Sequence, residues 1–499
     1  MYKKRIFLGF QMPLVYSQNT ECTYDDLFRK DQDNQMFDEF LHVLHDNEEF
    51  AKTINTLIFT DGYRIKQIES KLNIKFPISN EKFQTLDGVT RKNIVWSRYG
   101  IDNAYYRFVG AGYKELIKRN INFYVPIPIL NQELDQVDIN KVTLPQDLLE
   151  YIHKGKAKLL IYQEAEGFLR RYSHIKWFND FAEKHKLDKT NFIVESANQN
   201  FKLLCDEYEK KSLPHKNRFD TLTSNEFEDR PWFLKKGKQY TNEVSEHYNI
   251  FFDYLQYKTQ FKYKKKLSAL ARRFSAERGA IFHKIQTTEI LKENTFSSLH
   301  NCYQSEKHLL FNEIKTLLLK NTDEVLNWFD KNFDFVNGHS CDLTDQHTNW
   351  ASDINPEIHR DTLVNVTIET HQRPSSEIFL SEKTYRPIYT AQPFIIFGNP
   401  GTLRVLKEMG YKTFDKFWDE SYDDDLPIAE RLEKLFDVMI EIAHTPHEVL
   451  NGLMEDIEPI LRHNFNVLMS NERILNKQKI LFNNLYTKED IYIKKRKLI

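Results

Sequence analysis

Short apolar runs alternate with longer amphipathic segments along most of this chain, and this alternation restricts the fold more than any other feature. We interpret the runs as strands, at residues 5–10, 56–60, 122–129, 158–162, 191–195 and 248–252. A helical pattern at 168–185 separates two of them. Strands separated by helices of this length predict crossover units and a mostly parallel sheet. Pro126 and Pro128 predict an edge or exit strand at 122–129, because proline cannot donate to a ladder.

A charged and polar stretch at 206–245 predicts an interdomain region or an insertion, and a second unit of strands and helices follows it. Strands are predicted at 266–271, 363–369 and 393–398, and helices at 309–329 and from Ile428 almost to the end. A chain of 499 residues exceeds what one hydrophobic core usually serves. We predict an α/β protein of two Rossmann-like domains facing a cleft, with C-terminal helices. The predicted segments are 1–245, 246–440 and 441–499.

The charge balance and the cysteines exclude several classes of protein. Lys plus Arg total 70 against 72 Asp plus Glu, so the chain lacks the basic footprint of a nucleic-acid-binding domain. We interpret the lysine runs at 262–266 and 494–497 as solvated faces. Four separated cysteines without a CxxC pair indicate neither a disulfide framework nor a zinc site. Together with the lack of a signal-like start and of ~20 consecutive apolar residues, they predict a cytoplasmic protein.

The most informative stretch begins at Glu369, where a predicted strand ends. A helix is predicted to open soon afterwards, with Ser381 as its N-cap and Glu382 in its first turn. A basic side chain beside that start, Lys383 or Arg386, would make it an anion site. Another strand, a Gly/Pro turn and a helix follow. This order of elements is typical of a phosphate-binding arrangement.

The run 381–387, Ser-Glu-Lys-Thr-Tyr-Arg-Pro, together with 392–395, Gln-Pro-Phe-Ile, is similar to the donor-domain signature of GT-B glycosyltransferases. It most resembles the fucosyltransferase-like group, where a Ser/Thr-Glu-Lys motif opens the helix at the donor pocket. Residues 410–414 and 419–423 look like a variant found in phage and bacterial glycan- or DNA-modification proteins. The resemblance implies an N-terminal acceptor domain, a C-terminal donor domain and final helices that return to the first domain.

The implied reaction transfers a sugar from a nucleotide-sugar donor of the UDP- or GDP-sugar class to a hydroxyl acceptor. The acceptor would be a glycan or a hydroxylated nucleobase of DNA, and inversion is the preferred interpretation. The resemblance implies no metal and no other cofactor, because such enzymes stabilise the leaving diphosphate with basic groups. We therefore interpret the acidic run 423–425 as a solvated loop. One alternative is a non-catalytic sugar- or nucleotide-binding protein. Another is a nucleic-acid-binding module that uses 262–266 and 272–278.

Arginines just past the strand at 266–271 form a second basic cluster. They resemble the Asn-Arg-Arg…His-Arg stretch that opens the donor domain of the same group, although Ala271 and Glu277 depart from it. Guanidinium groups match phosphate oxygens bidentately. We expect Arg273 and Arg278 to contact the donor phosphates together with Lys383.

Carboxylates complete the predicted site. Glu369 and Glu377 are spaced like the paired glutamates of retaining GT-B enzymes, but we place Glu369 near the donor and interpret Glu377 as a surface residue. Glu382 is expected to accept hydrogen bonds from the ribose hydroxyls.

The catalytic base is sought in the N-terminal half, after the strand at 158–162. Transfer with inversion needs a group that takes the proton of the acceptor hydroxyl. Glu166, with Glu164 in reserve, follows that strand, and the carboxyl ends of parallel strands are where ligands bind. Asp61 and Glu195, at other strand ends, are the next candidates.

Overall fold

The computed structural model describes residues 4–10, 106–118, 120–129, 139, 144–163, 169, 171–211, 216–223, 235–236, 239–240, 244–271, 274–299, 307–338, 356–470 and 472–486. The chain forms two compact units. Unit 1 comprises residues 1–226 and 472–499, and unit 2 comprises residues 227–471.

Unit 1 is built on a parallel sheet of six strands with the order β2-β1-β3-β4-β5-β6. The strands are β1 (Lys4–Phe10), β2 (Tyr106–Gly112), β3 (Phe123–Ile129), β4 (Ala157–Gln163), β5 (Phe192–Ser196) and β6 (Asp220–Thr223). Its first helices are α1 (Tyr113–Lys118), α2 (Gln146–His153), α3 (Tyr172–Lys184) and α4 (Phe201–Lys211). The core is formed by the sheet and buried residues of all four of these helices, and Phe178 of α3 meets Phe192 and Phe219 edge to face.

Unit 2 contains a parallel sheet of four strands with the order β10-β9-β11-β12 and a short antiparallel pair, β7 (Lys235–Lys236) with β8 (Gln239–Tyr240). The parallel strands are β9 (Lys265–Ala271), β10 (Thr295–Leu299), β11 (Thr362–Ile368) and β12 (Phe394–Phe397). The helices are α5 (Val244–Thr259), α6 (Ala276–Thr287), α7 (Glu289–Asn294), α8 (Lys307–Lys315), α9 (Thr322–Gly338), α10 (Pro356–Asp361), α11 (Glu382–Tyr389), α12 (Thr402–Glu408), α13 (Ile428–His444) and α14 (His447–Met469).

The last helix, α15 (Glu472–Leu485), belongs to unit 1 although it follows unit 2 in the chain. The side-chain amide of Asn122 donates to the Leu485 carbonyl at 2.9 Å, and the Tyr124 hydroxyl donates to the Leu481 carbonyl at 2.8 Å. Leu481 is buried, so α15 forms part of the core of this unit.

The predicted α/β class, with parallel sheets in two units, is confirmed. The strand predicted at 248–252 is wrong, because these residues lie inside α5. Phe251 stacks on Phe465 of α14 at 4.0 Å between ring centroids, so tertiary packing of α5 accounts for its apolar content. The helix predicted at 309–329 is two helices, α8 and α9, separated by a turn in which Leu318 has a φ of 54°.

β3 is not an edge strand, since it pairs with β1 on one side and β4 on the other. Its pairing with β1 covers Phe123 and Tyr124 alone, so Pro126 and Pro128 lie beyond that ladder. The strand predicted at 56–60 lies outside the described residues. Across the part of the chain that the structure describes, no helix is long and apolar enough to cross a membrane.

Candidate functional site

The sheet of unit 2 changes its direction of winding between β9 and β11. The chain runs from β9 through α6 and α7 to β10 on one side, and then returns to the other side of β9 to form β11 and β12. Ligands of open α/β sheets bind outside the carboxyl ends of the strands at such a switch point. The site is therefore expected where α6 and α11 begin.

Glu369 lies directly after β11, is fully buried and connects this strand end to the start of α11. Its carboxylate accepts hydrogen bonds from the Ser381 N–H at 3.0 Å, the Ser381 hydroxyl at 2.6 Å, the Thr384 hydroxyl at 2.5 Å and the Thr370 N–H at 3.0 Å. Buried carboxylates need such partners. In this structure Glu369 therefore fixes the helix start through its side chain.

Ser381 is the N-cap of α11, as predicted. Its hydroxyl oxygen accepts from the Lys383 N–H at 3.3 Å, which satisfies one of the N–H groups at the helix start. The same oxygen accepts from the Lys383 ammonium at 3.1 Å. The cap thus holds a cation at the N-terminus of α11.

The Lys383 ammonium lies within the predicted anion site. Besides Ser381, it contacts the Glu382 carboxylate at 2.8 Å and the Thr370 hydroxyl at 3.4 Å. Burial by itself raises the pKa of Glu382, but the charge and hydrogen bond of Lys383, followed by the charge of Arg386, hold it below its ordinary value. Glu382 is therefore ionised at neutral pH, and Arg386, on the next turn of α11, adds positive charge beside it.

Arg278 comes from the other side of the switch point, in the first turn of α6. Its guanidinium donates to the Glu369 carbonyl at 2.9 Å and to the Ile368 carbonyl at 3.5 Å. Ser275 caps α6 by accepting from the Arg278 N–H at 3.3 Å. A buried guanidinium and a half-buried ammonium therefore contact adjacent residues at the end of β11, since Arg278 donates to the Glu369 carbonyl and Lys383 to the Thr370 hydroxyl.

Arg431, in the first turn of α13, was not recognised from the sequence as part of this region. It is fully buried and donates to the carbonyls of Tyr422 at 2.7 Å, Gly398 at 2.8 Å and Gln372. Burial lowers its pKa to about 10, while Asp423 opposes that shift, so it stays protonated at neutral pH. Arg431 ties together the loop after β11, the turn after β12 and the turn at Ser421–Asp423.

Asp423 is not solvated, which corrects part of the loop prediction for 423–425. It is buried, and its carboxylate accepts from the N–H groups of Thr402 at 3.1 Å and Leu403 at 2.8 Å. Asp424 and Asp425 are exposed, as expected. The Asp423 carboxylate thus satisfies N–H groups at the N-terminus of α12, whereas the N-terminus of α11 is capped by the Ser381 hydroxyl and has the Lys383 ammonium beside it.

Glu377 is fully buried, so its interpretation as a surface residue is wrong. Its carboxylate lies 4.0 Å from the His371 imidazole in the loop between β11 and α11. The apolar residues that follow it, Ile378 to Leu380, are all buried and were the signal that this segment turns inward.

The structure brings together Arg278, Glu369, Glu382 and Lys383, with Arg386 close enough to affect the pKa of Glu382. Arg273, Glu164, Glu166 and Asp61 lie outside the described residues. Glu195 is buried at the end of β5, 3.7 Å from the ammonium of Lys477 in α15. Within the described ranges, no group of three or more His, Cys, Asp or Glu side chains is arranged to hold a metal ion.

No protein-family model and no curated protein matches this chain. Among solved structures, it is similar to an α,α-trehalose 6-phosphate synthase from Burkholderia multivorans, with 9% identity and a TM-score of 0.36, over 96% of this chain and 97% of that one. It is also similar to a UDP-forming α,α-trehalose-phosphate synthase from Burkholderia xenovorans in complex with glucose-6-phosphate. That match has 9% identity and a TM-score of 0.28, over 76% of this chain and 88% of that one. The fold assignment rests on the sheet topology described above.

Proposed function

We propose that this protein is a GT-B-type glycosyltransferase that binds a nucleotide-sugar donor on unit 2. The observation that carries the proposal is that Arg278 and Lys383 donate to adjacent residues, Glu369 and Thr370, at the switch point of a parallel sheet. A diphosphate is the ligand that suits two cations beside a helix N-terminus.

The proposed chemistry follows from the charges at this place. As the acceptor oxygen forms its bond to the anomeric carbon, the bond from that carbon to the diphosphate breaks and negative charge grows on the leaving oxygen. Cations fixed in advance stabilise such charge more effectively than water, which must reorient. Arg278 and Lys383 are held by hydrogen bonds to the end of β11, to the loop after it and to the helix cap, so they are fixed in advance.

The finer features of the proposal rest on the sequence. The motif at 381–387 favours a fucosyltransferase-like enzyme that uses a UDP- or GDP-sugar, inverts the anomeric centre and needs no metal. Glu382 and Arg386 are proposed donor contacts, as is Arg273, and Glu166 with Glu164 in reserve is the proposed base. The acceptor is a glycan hydroxyl or a hydroxylated nucleobase of DNA. Glu369 is proposed to act near the donor by holding Ser381 and Thr384 in place.

The lysine run at 262–266 weighs against a nucleic-acid-binding module. Lys262 and Lys264 are exposed, as predicted for a solvated face, but Lys266 is buried and donates to the Ala443 carbonyl at 2.6 Å. Lys264 pairs with Asp361 at 2.5 Å, and Lys265 donates to the Glu293 carbonyl. Phosphate binding by Lys264, Lys265 or Lys266 would require that side chain to leave a contact within unit 2.

A thermal-shift panel of nucleotide sugars and nucleoside diphosphates tests donor binding, because a ligand that binds the folded state alone raises Tm. Lys383→Ala should then weaken nucleoside diphosphate binding by about 1.5–3 kcal/mol in calorimetry, the range for a hydrogen bond to a charged group. Lys407→Ala is the matched control, since Lys407 pairs with Asp415 at 2.8 Å in the same unit. Equal affinity in the wild type and Lys383→Ala would refute the site.

Transfer of labelled sugar separates an enzyme from a binding protein. We expect at least one of the donors that raise Tm to give a product that carries the labelled sugar. Donor binding without transfer to any glycan or DNA acceptor would favour the non-catalytic alternative.

A further inference from the structure

The ammonium of Lys383 has three N–H bonds, and three oxygen atoms of its own chain accept them. Two are the neutral hydroxyls of Thr370 at 3.4 Å and Ser381 at 3.1 Å. The third is a carboxylate oxygen of Glu382 at 2.8 Å. The shortest of these contacts therefore goes to the charged partner.

The Glu382–Lys383 pair is partly withdrawn from water. The side chain of Glu382 is 10% exposed and that of Lys383 is 25% exposed. Such a pair is screened less than a surface pair and interacts more strongly. Lys383 also contributes to the lowered pKa of Glu382, so the carboxylate carries its charge at neutral pH.

A phosphate oxygen that takes one of the three N–H bonds for itself must replace one of these acceptors. Ser381 is a poor candidate for displacement, because its hydroxyl also donates to buried Glu369 at 2.6 Å. Thr370 is the most distant acceptor, and its hydroxyl is neutral, so replacing it with a phosphate would not exchange one anion for another. Glu382 is the one of the three acceptors that resembles a phosphate, because its carboxylate is negatively charged and carries two oxygens on one central atom.

We propose that the Glu382 carboxylate is an internal substitute for the donor phosphate. It binds the Lys383 ammonium when no donor is present and is displaced when the diphosphate binds. This inference rests on the proposed function. The displaced carboxylate becomes an acceptor for hydroxyl donors, which a nucleoside diphosphate carries on its ribose and inorganic pyrophosphate lacks. Glu382 therefore selects against bare diphosphates and polyphosphates, and acts as a specificity-determining residue.

The test is calorimetric titration of inorganic pyrophosphate and a nucleoside diphosphate into the wild type, Glu382→Gln, Lys383→Met and the double variant. Glu382→Gln should bind pyrophosphate about tenfold more tightly than the wild type, because the charged competitor is lost. The gain for the nucleoside diphosphate should be smaller, or reversed. Glu382→Ala removes the carboxylate without adding an amide, and it should likewise increase the affinity for pyrophosphate more than that for the nucleoside diphosphate. Circular dichroism checks that each variant is folded.

The double-mutant cycle distinguishes displacement from simple removal of a negative charge. In the Lys383→Met background, Glu382→Gln should change pyrophosphate affinity by less than about twofold, since there is no ammonium to release. Glu408→Gln is the matched control, because Glu408 pairs with Arg404 at 2.6 Å on the exposed face of α12. It should leave both affinities unchanged.

Two results overturn the inference while the donor site stands. In the first, pyrophosphate binding depends on Lys383, but neither Glu382→Gln nor Glu382→Ala makes it tighter. In the second, Glu382→Gln raises pyrophosphate affinity equally in the wild type and in the Lys383→Met background. If neither ligand binds the wild type, and Lys383→Met changes nothing, the proposed function fails and the inference fails with it.

Discussion

Replacing Arg431 with methionine should destabilise unit 2 by about 3–5 kcal/mol. Methionine keeps much of the apolar contact with Phe397, whose ring centroid lies 4.7 Å from the guanidinium carbon. It removes the three hydrogen bonds that Arg431 donates to the carbonyls of Gln372, Gly398 and Tyr422. Each buried carbonyl left without a partner costs about 1–3 kcal/mol, and the lower part of that range, taken for three groups, gives the expected loss. This is a large share of the ~5–15 kcal/mol that stabilises a typical domain.

Urea unfolding at pH 7 measures the loss, with hydrogen exchange of peptides from β12 and α13 to assign it to unit 2. Arg462→Met is the control, because Arg462 is half-exposed and pairs with Glu458 at 2.6 Å. It should change stability by about 0.5 kcal/mol or less. A loss below about 1 kcal/mol in Arg431→Met would refute the reasoning, since it would mean that the three carbonyls find other partners or water.

Three further predictions concern pH, metals and the base. Burial raises the pKa of Asp423 to about 7 although the Leu403 N–H and Arg431 lower it, so the folded state binds a proton more tightly than the unfolded state, in which the ordinary value is 3.8. The stability that Asp423 contributes should therefore be lost as pH rises from 3.8 through about 7. Asp423→Asn should make the slope of stability against pH more positive in this range in urea titrations, and an unchanged slope would contradict this assignment. Sugar transfer should survive excess EDTA; its abolition, with rescue by Mg²⁺ or Mn²⁺, would show that a metal takes part. Glu166→Gln should lower kcat by ~10²–10⁴-fold without changing donor Kd, and full turnover in both this variant and Glu164→Gln would shift the search to Asp61 or Glu195.

Local signals predicted the start of α11 well. A hydroxyl N-cap, an acid in the first turn and a basic residue after it are all features of neighbouring residues, and the structure confirms Ser381 as the cap. The partners of Glu369 could not be predicted in this way. Its acceptor contacts involve Ser381 and Thr384, which are 12 and 15 residues further along the chain, and the turn that brings them back is a tertiary feature.

The missed and misassigned elements have a shared cause, which is that short segments take their structure from their surroundings. β10, Thr-Phe-Ser-Ser-Leu, is rich in hydroxyls yet buried at every position, so its apolar content did not reveal it. The segment 248–252 has the aromatic content of a strand, but it is too short for periodicity to separate strand from helix. Asp423 looked solvated because two more aspartates follow it, while its actual partners, Thr402 and Leu403, are remote in sequence.

The return of α15 to unit 1 has a consequence for dissecting this protein into fragments. A fragment ending at residue 226 carries all six strands of the first sheet but lacks the helix whose Leu481 carbonyl binds the Tyr124 hydroxyl. A stop codon after residue 471 would therefore leave the neighbouring unit whole and damage the sheet that begins at Lys4. Adding a peptide that covers 472–486 to the fragment 1–226 should restore the fold of unit 1. No single contiguous fragment shorter than the whole chain contains both parts of that unit.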